Sequence, residues 1–259
     1  MEKIMGEIKY LSEAEPVSMA DAWFDMATSD HFWMIWRFER LKTMVRQKLI
    51  DFSSKKVFEI GCGSGTVLEQ VSKNFGVNPD GCDLNDFALK KIKIKDQNIY
   101  CYNIYDQEST LENKYDIIIL FDVIEHIEED VNFVNSCLFH LKPGGKCIIN
   151  VPAYMHLFSK YDKAVGHVRR YSKSMVTEKF SQINGDNLTM QYWGVTLYFL
   201  AIARKIMYLF TNKNIVSKGF EPPSKLFNSI LSFLAKAENK LLRSPWIGSS
   251  LMFVFDKKN

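Results

Sequence analysis

A chain of 259 residues that is 47% hydrophobic and carries a formal net charge of +3 is long enough for a sizeable core. Its mild charge gives no nucleic-acid signature, so no nucleic-acid partner is expected. The five cysteines, 62, 82, 101, 137 and 147, form no CxxC pair and are odd in number, which argues against a disulfide framework and for a reducing, cytoplasmic setting.

The opening residues are polar, without the apolar core of a secretory signal. The longest apolar run, 192–210, is interrupted by Arg204 and Lys205 and falls short of the ~20 apolar residues of a spanning helix. The chain is therefore expected to be soluble or to rest on a surface. Its first fifty residues read as helical, most clearly over 31–50, where apolar residues recur at three-and-four spacing without Gly or Pro. The period then changes. VFEI (57–60) reads as a strand ending in the glycine cluster GCGSG, and TVLEQVSKNF (66–75) resumes helical spacing.

Further on, DGCDL (80–84) predicts a second strand with a helix over 85–94 behind it, and NIYCYNI (98–104) a third strand. YDIIILF (115–121) is a continuous apolar run, as a strand buried on both faces requires. Helix returns over 127–141, and KCIINVPA (146–153) follows LKPGG as a strand. A long polar and aromatic loop (152–171) precedes a helix (172–183) and a strand (187–195). Two apolar helical stretches within 196–245 are separated by the breaker GFEPPS (219–224), and SSLMFVF (249–255) closes the chain as a strand. Strands alternating with helices imply a doubly wound α/β fold with a mostly parallel, seven-stranded sheet. The expected divisions are an N-terminal helical cap (1–55), a core (56–195 and 246–259) and a helical insertion (196–245).

The sharpest local signal is E-I-G-C-G-S-G at 59–65, between a strand and a helix. Gly61, Gly63 and Gly65 let the backbone turn tightly and approach a ligand. In a nicotinamide-binding turn the third glycine would fall at Thr66, and no phosphate-binding lysine follows. Instead Glu59 stands two residues before the first glycine, where an acid repels a pyrophosphate but suits an ammonium group. Asp83, at the end of the second strand, is placed for ribose hydroxyls.

In this order, VFEIGCGSG, the GCDL acid, the NIYCYNI strand end, YDIIILFDVIEHI and LKPGGKCIINVP resemble the class I S-adenosylmethionine-dependent methyltransferases. The resemblance implies that fold, that cofactor and S-adenosylhomocysteine as product. It places Gly61, Cys62, Gly63 and Gly65 along the methionine and ribose portion, Asp83 on the ribose diol and Leu84 against the adenine. Asn103, where the family usually has Asp, and Ile104 would meet the adenine edge, with Phe121 and Asp122 near the sulfonium. His31, Trp33 and Arg37 resemble a pattern found before the first strand in one branch. There Arg37 would pair with the cofactor carboxylate, while Trp33 and Trp36 pack the helix down.

The segment 151–172 resembles a branch with a G-H-x-R-R-Y acceptor loop, often found in bacterial polysaccharide, lipid or natural-product pathways. It implies an O-methyltransferase for a small-molecule, sugar or lipid-linked acceptor, with polysaccharide biosynthesis as one setting. His167 is the expected general base, oriented by Asp162, because methyl transfer needs little beyond alignment and removal of a proton. Tyr154, Arg169, Arg170 and Tyr171 are expected at the acceptor, the arginines on an anionic group or alternatively bracing the loop.

Asp122, Glu125 and His126 form D-x-x-E-H, which leaves two readings open. With His167 these residues resemble a divalent-metal set of some O-methyltransferases; in metal-free members, Glu125 and His126 only shape the pocket. The metal-free reading is preferred. A non-catalytic scaffold in a membrane-associated complex is the alternative from another class. In the insertion, Leu226, Phe227, Ile230, Leu231, Phe233 and Leu234 repeat helically among Lys205, Lys213, Lys218, Lys225, Lys236, Lys240 and Arg243. That stripe reads as a lid or dimer face, or as a peripheral contact with the inner membrane face.

Overall fold

The computed structural model describes residues 7–15, 28–93, 96–209 and 224–259. In chain order the elements are β1 (Ile8–Tyr10), α1 (Phe32–Arg46), β2 (Val57–Ile60), α2 (Thr66–Phe75), β3 (Asp80–Asp83), α3 (Asp86–Leu89) and β4 (Ile99–Cys101). β5 (Tyr115–Phe121), α4 (Asp130–Leu138), β6 (Leu141–Pro152), α5 (Lys160–Ala164) and α6 (Lys173–Phe180) follow. The chain ends through β7 (Gly185–Trp193), α7 (Val195–Leu209), α8 (Lys225–Leu241) and β8 (Ser250–Lys257). Part of the expected N-terminal helical region, Lys213, Lys218 and most of the 219–224 breaker lie outside the described residues.

The strands form one sheet of order β1-β4-β3-β2-β5-β6-β8-β7. Only β8 runs against its neighbours, pairing antiparallel with β6 from Lys146↔Asp256 to Pro152↔Ser250 and antiparallel with β7. The doubly wound architecture is as expected, with eight strands among the described residues rather than seven. The addition is β1, which pairs parallel with β4 and corrects the helical reading of that part of the N-terminus. Three residues are too few to show a period of two.

The central strands are largely apolar because each feeds two cores; Glu59 of β2 and Asn150 of β6 are the buried polar exceptions. Val57, Ile117, Ile119, Ile148, Met252 and Val254 face a layer containing Trp36, Leu41, Val67 and Leu231. Their neighbours Phe58, Ile118, Leu120, Ile149, Leu251 and Phe253 face a layer containing Val134, Cys137, Tyr171 and Val176. Strand side chains alternate between faces, so a run without polar residues is what double burial demands. α1 and α8 belong to the first layer and are tied together: Trp36 Nε1 donates to Glu238 Oε1 at 3.3 Å, and Arg40 donates to the carbonyls of Leu242 and Arg243. The N-terminal cap and this helix of the insertion thus share one core with the sheet.

Strand order reverses between β2, which leads outward to β3 and β4, and β5, which leads to β6. At such a switch point the loops leaving the strand ends diverge and open a crevice. The carboxyl ends of β2, β3 and β5 deliver Gly61, Asp83 and Asp122 there.

Candidate active site

A cavity of about 630 Å³ opens at this switch point and takes walls from α1, the β2–α2 turn, the ends of β3 and β5, the 152–171 loop, α7 and α8. That volume suits a ligand of nucleoside size with an attached chain. Arg37, Glu59, Gly61, Cys62, Gly63, Asp83, Leu84, Asn103, Ile104, Phe121 and Asp122 all line it, as do Glu125, His126, His167 and Arg170. Residues separated by more than a hundred positions are thereby brought to one space.

Turn geometry accounts for the glycines. Gly61 has φ +77°, and a Cβ there would sit 2.5 Å from Val123 Cγ2, so a side chain is excluded by both conformation and space. Gly65, expected along the ligand, instead caps α2 at φ +80° with Ile92 against it, outside the cavity wall. Asp83 pins the turn: its Oδ2 accepts from Gly63 N at 2.8 Å and its Oδ1 from Asn85 N at 2.9 Å. Each oxygen keeps a second lone pair for a ligand hydroxyl. Burial raises the Asp83 carboxyl against the pull of those N–H groups. Asn103 Oδ1 accepts from Tyr105 N at 3.1 Å, so this side-chain oxygen, expected on an adenine amine, already caps the following turn.

Glu59 lies deeper. It is buried, Oε2 has no partner, and burial pushes its carboxyl up to about 8, with Arg37 opposing and Asp83 adding to the rise. A buried carboxyl of this kind is a socket for a cation. Arg37 is not the free fork the sequence suggested. Its Nη1 pairs with Asp122 Oδ2 at 2.6 Å, and its guanidinium lies 5.0 Å from the Phe121 ring centroid. Asp122, at φ +58°, is held further by Asn150, whose Nδ2 donates to Asp122 Oδ1 at 2.6 Å and whose Oδ1 accepts from Trp193 Nε1 at 2.8 Å.

His167 lines the same cavity, and its Nδ1 stands 3.0 Å from Asp162 Oδ1. The carboxylate only accepts, so Nδ1 carries the hydrogen and Nε2 presents its lone pair. Asp162 is fully buried and also receives Arg170 Nε at 2.7 Å and the Ser159 backbone N–H and hydroxyl in a capping box at the start of α5. Burial pushes the Asp162 carboxyl up, but the His167 and Arg170 contacts together outweigh it and hold it well below the usual range. Glu125, His126 and His167 converge so that one ligand atom from each lies within 4.8 Å of the others. Both Glu125 oxygens and both His126 nitrogens are buried without a hydrogen-bond partner, and Glu125 Oε1 lies 3.9 Å from His167 Nε2. Burial first, then Asp122, raises Glu125 well above an ordinary carboxyl; burial, then His167, lowers His126 to about 4.

Three residues expected at the acceptor are placed elsewhere. Arg169 clamps the carbonyls of Ile127 and Glu128 and pairs with Asp130. Tyr171 is buried and donates to Ile124 O and Asp130 Oδ2. Tyr154 stacks on Tyr192, with its hydroxyl on the Trp246 carbonyl. All three fasten the acceptor loop to the body from outside the cavity, because their hydrogen-bonding groups are consumed by backbone carbonyls and Asp130. Conversely, Tyr161 and Arg204 line the cavity unforeseen, with the Arg204 guanidinium 4.7 Å from the Tyr161 ring centroid. A pair of adjacent cations, Arg204 and Lys205, inside an apolar helix was the available signal for Arg204.

A methyltransferase-domain family model matches residues 35–213, so the chain belongs to that family. Among curated proteins it is 24% identical, over 133 residues, to a ubiquinone biosynthesis O-methyltransferase of Hydrogenovibrio crunogenus, covering 49% of this chain and 54% of the relative. The chain thus spans about half the length of that relative. The relatives' names give no support to the polysaccharide setting expected from the acceptor loop. Among solved structures, a SAM-dependent methyltransferase from Archaeoglobus fulgidus matches with a TM-score of 0.52 at 16% identity, over 86% of this chain and 94% of that one. The [4+2]-cyclase SpnF matches with a TM-score of 0.59 at 11% identity, over 95% and 99%. At these identities the likeness speaks for the fold alone, and a cyclase among the neighbours shows that the fold does not dictate the reaction.

Proposed function

We propose that this methyltransferase-family chain uses S-adenosylmethionine to methylate an oxygen of a small-molecule acceptor, with His167 as the base. The observation that carries the reading is that one cavity holds both a cation socket, Glu59 beside Asp83, and a base pair, His167 with Asp162. The cofactor fits what is present: an ammonium suits the unpartnered Glu59 oxygen, and a ribose diol suits the open lone pairs of Asp83. Gly61 and Gly63 allow close approach of the chain between them. When bound, this cofactor supplies an electrophilic methyl group on a sulfonium.

The chain's own residues then have three tasks. Glu59, Asp122 and Glu125 make this end of the cavity acidic, while Arg37 offsets Asp122. Arg204 and Tyr161 line the cavity from the acceptor side, where a guanidinium suits an acceptor with an anionic group. His167 Nε2 takes the proton of the acceptor hydroxyl as its oxygen bonds to the methyl carbon and the carbon–sulfur bond breaks, leaving S-adenosylhomocysteine. Asp162 holds the ring in the orientation and tautomer that leave Nε2 facing the acceptor. The proton then passes to water.

A second reading rests on the partnerless atoms of Glu125 and His126 beside His167. They would suit a divalent ion polarising the acceptor oxygen, with Asp162 bonded behind His167 as an outer-shell carboxylate. Asp122, expected in that set, is instead committed to Arg37 and Asn150. The two readings exclude one another, since both use His167 Nε2. A non-catalytic scaffold would have no use for either Glu59 or the His167 pair.

Methyl transfer to phenolic test acceptors, with S-adenosylhomocysteine affinity read by calorimetry, tests the main reading. His167→Ala lowers turnover at least about a hundredfold, the scale of a lost general base, and leaves cofactor affinity unchanged. Turnover equal to wild type would remove His167 from the chemistry. Turnover lost on chelation and restored by metal would favour the second reading.

A further inference from the structure

We infer that the chain docks on an anionic lipid bilayer through α7, α8 and the segment after α8, with the cavity mouth turned to the membrane surface. α8 has two apolar faces. Leu231 and Ala235 enter the core, but Leu226, Ile230, Phe233 and Leu241 lie on another side of the helix, and Leu226 and Phe233 are 74% and 71% exposed. On α7, Phe199 and Ile206 are likewise exposed, and Trp246, beyond α8, is 92% exposed. The Trp246 carbonyl accepts from Tyr154, whose ring meets Tyr198 of α7, so the backbone that carries this indole runs close to the same helix. Large apolar side chains in such number are costly to leave in water and mark an interaction surface.

Charge identifies the occupant. Over 195–209 and 225–249 the cations are Arg204, Lys205, Lys225, Lys236, Lys240 and Arg243, and the sole acid is Glu238, which is buried. An apolar stripe with a basic fringe and no outward acid complements anionic headgroups over acyl chains. A second copy meeting this face across a two-fold axis would bring the cations of these two stretches against one another, with no outward acid within the stretches to pair them. The mouth opens beside that stripe: Leu200 of α7 and Phe227 of α8, next in sequence to Phe199 and Leu226, both line the cavity and reach solvent. Entry of an amphiphilic acceptor directly from the bilayer rests on the methyl-transfer reading; the docking itself does not.

Cosedimentation of the full chain with phosphatidylcholine vesicles, with and without phosphatidylglycerol, tests this. Association is expected with the phosphatidylglycerol vesicles and should weaken as salt rises. Phe233→Ser combined with Trp246→Ser, and separately Lys236→Glu combined with Lys240→Glu, should each lower partitioning by about tenfold or more. Both variants should still bind S-adenosylhomocysteine as wild type does, which shows that they fold. Failure of wild type itself to bind that ligand would count against the methyltransferase reading and leave the vesicle result standing. No association of wild type with phosphatidylglycerol vesicles, or equal association of the charge-reversed variant, overturns the docking. So does a solution dimer that the Phe233→Ser, Trp246→Ser variant dissolves, which would assign the face to a second copy.

Discussion

Glu59 concentrates the chemistry of the cofactor side in one titratable group. Its carboxyl is raised from an ordinary 4.5 to about 8, chiefly by burial. A raised acid favours the folded state while protonated, so its stabilising contribution is complete below about 4.5 and lost as pH rises through about 8. Across that window the ligand-free wild type should lose thermal stability relative to Glu59→Gln, whose amide does not ionise. An ammonium placed on Oε2 reverses the preference, so binding at about pH 6 should expel about one proton from wild type and none from the variant. Calorimetry with S-adenosylhomocysteine in buffers of different ionisation enthalpy reads that number. Equal proton release by the two proteins would remove Glu59 from ligand binding.

At the scale of elements, the cavity depends on a helix whose start is capped by one distant side chain. Glu238 Oε1 accepts from Gly194 N at 2.7 Å and Val195 N at 3.1 Å, and Oε2 accepts from Thr196 N at 3.2 Å. This buried carboxylate of α8 therefore caps the start of α7 and also receives Trp36 Nε1. Glu238→Ala leaves those donors unsatisfied and should cost about 3 kcal/mol, whereas Glu238→Gln keeps an acceptor oxygen and should cost less; denaturant unfolding compares them. Such long-range caps were not legible in the sequence. Elements bounded by an abrupt change of period were: β2, α2 and β5 occupy 57–60, 66–75 and 115–121, where strand runs meet glycines or turns. Among the described residues, α3 contracts from the expected 85–94 to Asp86–Leu89, and the chain turns at Lys90 and Lys91 before Ile92 enters the core. The cavity-lining acids were legible because strand ends in this topology point to one edge. The directions of Tyr154, Arg169 and Tyr171 were not, since their partners come from distant segments and no local pattern encodes them. Asn150 is a milder case: a polar residue inside CIINVP signals a buried contact, but not that it would join Trp193 to Asp122.

For the molecule as a whole, the cavity gathers walls from the N-terminal helix, both halves of the sheet and the last two helices. A ligand that fills it binds only the assembled fold, so its binding free energy adds to global stability. At about a hundredfold excess over Kd the gain is about 2.7 kcal/mol, which for a domain of this size corresponds to a rise in Tm of about 5–10 °C. Wild type should show that rise with S-adenosylhomocysteine, and Asp83→Ala, which removes both the proposed ribose contact and the anchor of Gly63, should lose most of it. Chelation should leave the rise intact, because Glu59 and Asp83 are separate from the Glu125, His126 and His167 cluster. Metal dependence then becomes visible as a second and independent effect. If that cluster holds an ion, adding manganese or zinc alone should raise Tm in wild type but not in a Glu125→Gln, His126→Ala variant. Without such a rise, His167 Nε2 remains free to act as a base. A protein whose Tm ignores S-adenosylhomocysteine altogether would be a methyltransferase fold kept as a scaffold, and the cation socket at Glu59 would then need another ligand.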